Sequence, residues 1–234
     1  MRCAEVICER NDTMENKALV KADFDKIAMI QEKKWDHNRH YHNYLLKHLG
    51  KNLEYALDIG CGKGEFAKAL AHRAKKVIGV DLSEQMISMA KADTATDNIE
   101  YVLGDVMELE LENSKYDCIA SIATMHHLPL EEMMRKAKAA LKDKGVFMVL
   151  DLYQEENILD YLTSAAAIPF NILMMLMIEG RVRPSAEEMN AWREHGKHDR
   201  YLTLKQIKAI ADQVMPGSKI KRHFYWRYSI IWQK

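Results

Sequence analysis

The residues of this chain whose spacing most clearly indicates chemistry are three alternating glycines and the acid that follows them. Gly60, Gly62 and Gly64 come directly after a short apolar run at 55–59, which we predict to be a buried strand. Glycines at a strand-to-helix junction allow a tight turn and let a ligand approach the main chain. Asp81 ends a second predicted strand about twenty residues later, where a carboxylate can accept hydrogen bonds from both hydroxyls of an adenosine ribose. Together they predict a nucleoside-binding pocket.

The charges around the glycine turn distinguish two kinds of nucleoside cofactor. A dinucleotide site has the pattern G-x-G-x-x-G, and Glu65 occupies the position of its last glycine. A looser pattern counted from Gly62 ends at Ala67, but it begins two residues too late after the strand. Asp58 and Glu65 flank the turn, where they would repel a pyrophosphate. The same two carboxylates would attract the ammonium and sulfonium groups of S-adenosylmethionine.

With these features the chain resembles the class I S-adenosylmethionine-dependent methyltransferases over roughly residues 53–152. Leu57–Phe66 is similar to the family's first motif, and the others follow in the family's order at 77–83, 101–106, 116–123 and 141–149. The resemblance implies an enzyme with S-adenosyl-L-methionine as cofactor. It also implies an α/β, Rossmann-like fold with a mostly parallel seven-stranded sheet, an antiparallel last strand and helices on both faces. Alternating predicted strands and helices independently favour a parallel sheet.

The resemblance also assigns roles in cofactor binding. Asp58 would hold the ammonium group, Asp81 the ribose and Asp105 the adenine amino group, although Asp105 could instead simply form a turn. Leu82 and Met86 would pack on the adenine or belong to the core. The cofactor-binding residues are thus predicted to be Asp58, Gly60, Cys61, Gly62, Gly64, Asp81, Leu82, Met86, Asp105, Val106 and Ile122.

Histidines supply the candidates for the catalytic side of the site. His126 and His127 follow the predicted fourth strand, where the family places groups that face the transferred methyl, or they only fix the loop. A neutral histidine can accept a proton near pH 7, if the acceptor must lose one. His40 and Tyr41 are candidates on an N-terminal helix, which could instead be a solvated or interface helix. The segment 192–199 is a further candidate lining. The histidines of the N-terminal cluster at 35–44 lack a complete ligand set, and we expect no metal.

Composition limits the partners and the compartment. Lys plus Arg and Asp plus Glu both number 34, so no net charge would attract nucleic acid or an anionic membrane. The segment 121–124 lacks the Asn/Asp-Pro-Pro-Tyr/Phe signature that seats planar amines, which also argues against nucleic-acid methylation. The four cysteines have no metal-ligand spacing and are expected to be reduced thiols. The first residues include no apolar signal core, and we expect a cytoplasmic protein.

Two regions extend the predicted methyltransferase domain. We predict an N-terminal helical extension at 1–52, with a helical pattern over 23–49, and a domain at 53–234 that contains a helical cover at 153–198. Within this cover, Tyr161–Ile178 is uncharged and almost long enough to cross a membrane. Pro169 and Asn171 interrupt it, so we predict two helices over the open end of the sheet and no integral membrane association. Its methionines would line a greasy pocket or fill a helix–helix core.

These observations predict transfer of a methyl group to a small molecule, with a quinone- or lipid-like acceptor fitting the apolar cover. On that hypothesis, deletion of Tyr161–Ile178 abolishes turnover while cofactor binding survives. Two alternatives stay open: a nucleotide-dependent oxidoreductase, and a protein that binds S-adenosylmethionine without catalysis.

Overall fold

A seven-stranded sheet organises the computed structural model, which describes residues 17–30, 34–197 and 199–234. The strands are β1 (Leu53–Ile59), β2 (Ala74–Asp81), β3 (Ile99–Leu103), β4 (Tyr116–Ile122), β5 (Leu141–Asp151), β6 (Lys219–His223) and β7 (Arg227–Gln233). The helices are α1 (residues 17–28), α2 (His37–His40), α3 (His42–Leu46), α4 (Glu65–Ala71), α5 (Glu84–Ala92), α6 (Leu130–Ala140), α7 (Ile158–Glu179), α8 (Ala186–His195) and α9 (Leu204–Val214), with a 3-10 helix at Met125–His127.

The strand order is β3-β2-β1-β4-β5-β7-β6. Strands β1 to β5 pair in parallel, and β7 runs antiparallel to both of its neighbours, β5 and β6. The predicted fold class and its antiparallel last strand are therefore confirmed. Chain order reverses direction between β1 and β4, and ligands of open α/β sheets bind at such a switch point, beyond the carboxyl ends of the strands.

Side chains alternate between two apolar layers because successive strand residues point to opposite faces. In β5, Met148 belongs to the layer that contains Phe66 and Leu70 of α4, while Phe147 and Val149 belong to the layer that contains residues of α6 and α9. All three β5 side chains are fully buried. The central strands are covered on both faces, which explains why they are almost continuously apolar in sequence.

The N-terminal region is more broken than its sequence pattern predicts. Helix α1 includes residues 17–22, which precede the helical pattern at 23–49, and it ends at 28. A new start follows at Asp36, whose carboxylate accepts hydrogen bonds from the N–H groups of Asn38 and Arg39 at 2.9 and 2.8 Å and caps α2. A single helix over 23–49 is therefore wrong, because an acid that caps a helix start cannot also lie inside the helix.

Helix α7 contradicts the expected break at Pro169. It runs for 22 residues through that proline, and its exposed apolar side chains include Phe170, Leu173 and Met177. By length and composition α7 could cross a membrane, and only 17% of its most apolar window is buried. Polar contacts connect α7 to the N-terminal region: Asn171 Oδ1 lies 3.0 Å from Trp35 Nε1 and 2.8 Å from His37 Nε2. The expected lack of integral membrane association stays a prediction.

Candidate functional site

The loops that follow β1 to β4 surround one large cavity at the carboxyl edge of the sheet. Its volume is about 660 Å³. Helix α1 covers it with Val20, Phe24 and Ile27, and α8 contributes Trp192 and His195. Among the predicted cofactor-binding residues, those that line it are Asp58, Gly60, Cys61, Gly62, Asp81, Leu82, Met86, Asp105, Val106 and Ile122.

The glycine turn is required by both backbone angle and space. Gly60, Gly62 and Gly64 have φ values of 67°, 51° and 80°, in the left-handed region that other residues rarely adopt. A Cβ on Gly60 would lie 2.1 Å from Thr124 Oγ1, and one on Gly64 would lie 2.1 Å from the Tyr101 hydroxyl. Gly64, which is not a lining residue, therefore allows the turn to pack against β3.

Asp81 fastens the glycine turn to the end of β2. Its Oδ2 accepts a hydrogen bond from the Gly62 N–H at 2.8 Å, and its Oδ1 accepts one from the Ser83 N–H at 2.9 Å. Burial raises the pKa of this carboxyl, and the backbone N–H groups oppose the shift. Each oxygen has further acceptor capacity, so Asp81 can hold the turn and still receive the hydroxyls of a ribose.

Asp58 is a buried acid whose carboxylate lacks hydrogen-bond partners among the described residues. Neither of its carboxylate oxygens forms a hydrogen bond of normal geometry with a described residue. Burial, reinforced by the charge of Asp81, raises the pKa of Asp58 to about 7, against the opposing influence of the Ala67 N–H. Buried polar atoms normally have partners. A cationic ligand group in the cavity would supply the missing one.

Glu65, the second acid of the predicted bracket, already has cationic partners. Its carboxylate lies 2.8 Å from Arg39 and 3.2 Å from Lys68. The positive charges offset its own, so attraction for a cationic ligand is concentrated at Asp58. The sequence pattern predicts two acids beside the turn, but it does not reveal that α2 neutralises one of them.

Asp105 is engaged by both its own loop and α1. Its Oδ1 accepts the Met107 N–H at 2.8 Å, and Lys17 Nζ lies 2.6 Å from its Oδ2. Met86 packs against Ile27 and Ala28 of α1 as well as lining the cavity. Both interpretations offered for Met86 and Asp105, ligand contact and local structure, are thus compatible with their positions.

His126 lines the same cavity, and Asp151 holds it at two points. Its Nδ1 lies 2.7 Å from Asp151 Oδ1, and its backbone N–H donates to Asp151 Oδ2 at 2.8 Å. Burial alone would lower the pKa of His126, but the adjacent Asp151 carboxylate outweighs burial and raises it. Asp151 terminates β5 and is fully buried.

His127 lies beside His195 and Asp199, which the sequence analysis does not connect with it. Asp199 Oδ1 lies 3.7 Å from His127 Nδ1, 3.4 Å from His195 Nε2 and 3.9 Å from His126 Nε2. Burial and the two neighbouring imidazoles lower the pKa of His127 to about 2. We call His126, His127, His195 and Asp199 the histidine cluster; each offers one ligand atom within 4.8 Å of the others.

Comparison with known proteins identifies the domain that contains the glycine turn. Residues 57–149 match the family model described as a methyltransferase domain. The chain contains a class I S-adenosylmethionine-dependent methyltransferase domain. The matched range contains the glycine turn, Asp58, Asp81 and both histidines of the 3-10 helix.

Relatives agree with this identification. An uncharacterized methyltransferase of Mycobacterium tuberculosis is 26% identical over 85% of this chain and 96% of its own length. A ubiquinone biosynthesis O-methyltransferase of Coxiella burnetii is 30% identical over 61% of this chain and 62% of its own. In fold, the chain resembles a Haloferax volcanii methyltransferase solved with the Trm112 activator (TM-score 0.59, 19% identity, 85% of this chain and 77% of that one).

S-adenosylmethionine is the cofactor of this methyltransferase, and its chemistry fits the residues present. The buried Asp58 carboxylate can hold the ammonium group, the open space at Gly62 can admit the methionine part, and Asp81 can receive the ribose. The cofactor supplies an activated methyl group on sulfur. The alternative of a nucleotide-dependent oxidoreductase is therefore wrong, and so is that of a protein that binds S-adenosylmethionine without catalysis.

Two predicted catalytic residues of the methyltransferase lie outside the cavity lining. Tyr41 donates a hydrogen bond from its hydroxyl to the Phe224 carbonyl at 2.7 Å, and burial raises its pKa to about 12. The His40 ring contacts Trp35 and Tyr225. Because α2 starts at the Asp36 cap, the face that reaches the cavity carries other residues: His37, Asn38, Arg39 and, from α3, His42. Their positions do not support contact of His40 or Tyr41 with an acceptor.

Several residues of the site escape the sequence analysis. Asp151 could have been found, because it ends a predicted parallel strand, as Asp81 does. Arg227 is buried, lines the cavity and donates to Asn38 Oδ1 at 2.8 Å, but it comes from the antiparallel strand, to which the strand-end rule does not apply. Asp199 lies in the candidate segment 192–199 but was not singled out there, and Lys17 carries no local signal.

Proposed function

We propose that this methyltransferase acts on a small molecule that binds inside the cavity, between the cofactor and the histidine cluster. The observation that carries this proposal is the cover formed by α1 and α8. Phe24 of α1 has its ring centroid 4.6 Å from that of His195 and 5.6 Å from that of His127, so the cover reaches the cluster itself. The volume of about 660 Å³ is typical of small-molecule sites. A macromolecular acceptor would need a more open face.

Methyl transfer requires positioning more than any other contribution. The acceptor atom attacks the methyl carbon opposite the sulfur, and a well-oriented, water-poor site supplies much of the acceleration. We assign His126 and His127 to the acceptor side; the contact of His126 with Asp151 and the burial of both side chains support this. In this proposal the histidine cluster orients the acceptor and receives its polar group, while the glycine turn and Asp58 orient the donor.

An apolar, quinone-like acceptor is the class we propose. Leu128, Leu152, Trp192 and Trp226 line the cavity beside the residues of α1, and together they favour an aromatic or otherwise apolar ligand. The similarity to the Coxiella ubiquinone biosynthesis O-methyltransferase supports the same class, although this chain covers only 62% of that enzyme. Helix α7, on which the sequence-based prediction of an apolar acceptor rested, does not support this class, because the described lining residues of the cavity include none from that helix.

The experiment is an acceptor search with matched variants. The protein is incubated with methyl-labelled cofactor and a metabolite extract, and label is sought separately in small molecules, protein and nucleic acid. We expect one or more labelled small molecules of apolar character. Phe24→Ala and Trp192→Ala should lower this transfer about tenfold while S-adenosylhomocysteine affinity stays within about twofold. Met177→Ala, on the exposed side of α7, is the control. Label confined to protein or nucleic acid would contradict the proposal.

A further inference from the structure

We propose that the histidine cluster binds a divalent transition-metal cation, with Zn²⁺ the best fit, at the acceptor end of the cavity. Three imidazoles and one carboxylate form the donor set: His126, His127, His195 and Asp199. Imidazole nitrogens suit first-row metals such as zinc, and carboxylate oxygen completes many zinc sites. The site itself follows from geometry alone; the catalytic role given to the cation below rests on the proposed function.

The distances in the cluster match a shared metal better than direct hydrogen bonds. Zinc bonds to nitrogen and oxygen of about 2.0–2.2 Å place neighbouring ligands of a tetrahedral site roughly 3.4 Å apart. Asp199 Oδ1 lies 3.4 Å from His195 Nε2, 3.7 Å from His127 Nδ1 and 3.9 Å from His126 Nε2. One oxygen therefore faces three nitrogens at nearly the spacing of a coordination sphere.

The burial of these atoms calls for a partner at their centre. The side chains of the cluster are 4–9% exposed. Asp199 Oδ1 is buried and accepts no hydrogen bond of normal geometry from a described residue, despite the three nearby imidazoles. Leaving a charged oxygen in that condition is costly. A cation among the four ligand atoms would remove the cost.

Three of the four ligands have outer contacts of the kind that orient metal ligands. The Nδ1 of His126 is held by Asp151 at 2.7 Å, and the Nδ1 of His195 lies 3.6 Å from Asp23 Oδ2 of α1. The Tyr201 hydroxyl donates to Asp199 Oδ2. A ligating histidine whose other nitrogen faces a carboxylate, and a ligating carboxylate that accepts a hydrogen bond, are the supporting contacts that orient metal ligands.

The ligands come from separate parts of the chain, and the sequence analysis, which weighed a metal only for the histidines at 35–44, did not connect them. His126 and His127 lie in the 3-10 helix after β4, His195 ends α8, and Asp199 follows it. A pair at 126–127 is not a metal-binding spacing on its own. Only the fold of α8 over the carboxyl ends of the strands brings the third histidine and the carboxylate to it.

A cation here would define the acceptor class more closely. All four ligands line the same cavity as Asp58 and Gly60, so a bound acceptor can reach the cation as a further ligand. An acceptor with a hydroxyl, thiol or enol group would lose its proton to water on coordination, because the cation lowers the pKa of that group. Its heteroatom would then form a bond to the methyl carbon as the carbon–sulfur bond breaks, releasing neutral S-adenosylhomocysteine.

The test uses the full chain, stripped of metal and titrated with Co²⁺ alone. Cobalt reports its own coordination through visible d–d absorption, which is far stronger in four- or five-coordinate sites than in the six-coordinate aqueous ion. We expect about one Co²⁺ per chain with the strong absorption, and its displacement by Zn²⁺. Asp199→Ala and His195→Ala should each weaken binding at least tenfold. The control His72→Ala, at the exposed end of α4, should not change it.

Each outcome decides the matter. Absence of the strong absorption in the wild-type chain, or binding that survives both Asp199→Ala and His195→Ala, would overturn the inference. If one variant does not fold, as judged by circular dichroism and S-adenosylhomocysteine binding, the wild-type spectrum and the milder Asp199→Asn still decide it. Methyl transfer by metal-free protein at the wild-type rate would contradict the catalytic role of the cation and leave the proposed function. A cobalt site without any labelled small molecule would support the metal site and contradict the proposed function.

Discussion

The Asp151 carboxylate fixes His126 at two points, one on the ring and one on the backbone. Its Oδ1 lies 2.7 Å from His126 Nδ1, and its Oδ2 accepts the His126 N–H at 2.8 Å. The two side chains are 0% and 5% exposed. The end of β5 thereby determines both where the 3-10 helix begins and which way the imidazole points, so His126 presents its Nε2 towards Asp199.

Asp151→Asn tests this relationship. The amide can still accept the backbone N–H, but its NH₂ group would then face Nδ1 and force the ring to accept there, which reverses the tautomer. We expect methyl transfer to fall about 10- to 100-fold, as for other residues that orient a functional histidine. S-adenosylhomocysteine affinity should stay within about twofold of wild type. The control is Asp97→Asn, an exposed acid. Transfer within about twofold of wild type would show that the orientation of His126 is unimportant.

Asp58 should make cofactor binding depend on pH. The pKa of its carboxyl is raised to about 7 by burial and by Asp81, and the ammonium group of the cofactor needs the ionised form. S-adenosylhomocysteine should therefore bind about tenfold more weakly at pH 6 than at pH 8. Asp58→Asn should bind at least about tenfold more weakly at pH 8 and lose most of this dependence, leaving a smaller contribution from Asp81. Calorimetric titrations at several pH values measure both effects. If the affinity of Asp58→Asn depends on pH as strongly as that of wild type, another group causes the dependence.

The raised pKa of Asp58 also predicts how the stability of the cofactor-free protein depends on pH. A carboxyl whose pKa is higher in the folded state than in the unfolded chain binds more protons when folded. Its contribution to stability is therefore complete below about pH 4 and is lost as pH rises through about 7. Between those limits the loss approaches about 1.4 kcal/mol for each pH unit, as an upper bound. Urea unfolding of wild type and Asp58→Asn across this range should show a shallower decline in the variant.

The fold could be predicted from sequence because its signals are local. Strand β1 contains the predicted run 55–59, and β4 lies within the motif segment 116–123. Helix α5 has a local start signal in Ser83, whose hydroxyl accepts the Met86 N–H. Asp117 anchors the start of β4, because it accepts the Glu54 and Tyr55 N–H groups at 2.9 Å. The cofactor residues share this advantage, because a glycine turn and strand-end acids are defined by neighbours in sequence.

His126, His127 and the segment 192–199 could be named as candidates for the acceptor side. Their assembly could not be predicted, because the contacts are between distant segments. His127, His195 and Asp199 meet only after α8 folds over the sheet, and Lys17 reaches Asp105 across 88 positions. The break of the N-terminal helix also misled the analysis: Asp36 reads equally well as a helix residue and as a helix cap. Helix α7 is continuous through Pro169, although an interior proline usually kinks or ends a helix.

The ion pair between Lys17 and Asp105 should compete with the cofactor. If Asp105 receives the adenine amino group, Lys17 must share or release its Oδ2, which lies 2.6 Å from Nζ. Lys17→Met should then raise S-adenosylhomocysteine affinity, by no more than about fivefold, because half-exposed pairs are weak. The gain should shrink in high salt, which screens the pair. A lower affinity in Lys17→Met would instead mean that Lys17 holds α1 over the bound cofactor. Asp105→Ala should lower S-adenosylhomocysteine affinity in either case.

The exposed face of α7 should be dispensable for catalysis. Leu173 and Met177 are 48% and 72% exposed, and the described cavity lining includes no residue of this helix. Leu173→Glu and Met177→Glu should change the free energy of unfolding by no more than about 0.5 kcal/mol and leave transfer intact. Ala167→Glu, on the fully buried side of the same helix, should destabilise the protein strongly. Lost transfer in the first two variants, with the fold retained, would restore the hypothesis that α7 contacts the acceptor.

Gly62 and Gly217 form a matched pair that separates backbone strain from ligand contact. Both have positive φ, 51° and 83°, and a Cβ added to either would meet nothing within 4 Å in the protein. Alanine at each position should therefore cost a similar strain of about 1–3 kcal/mol in unfolding free energy.

Only Gly62 lines the cavity, where the backbone should lie against the cofactor. We expect Gly62→Ala to weaken S-adenosylhomocysteine binding at least about tenfold, because its methyl group would occupy ligand space. Gly217→Ala should bind normally below its melting temperature. Thermal unfolding with and without ligand measures both properties at once. Equal affinities in the two variants would mean that Gly62 serves the turn alone, and that the donor lies closer to Asp58 and Gly60 than to the middle of the loop.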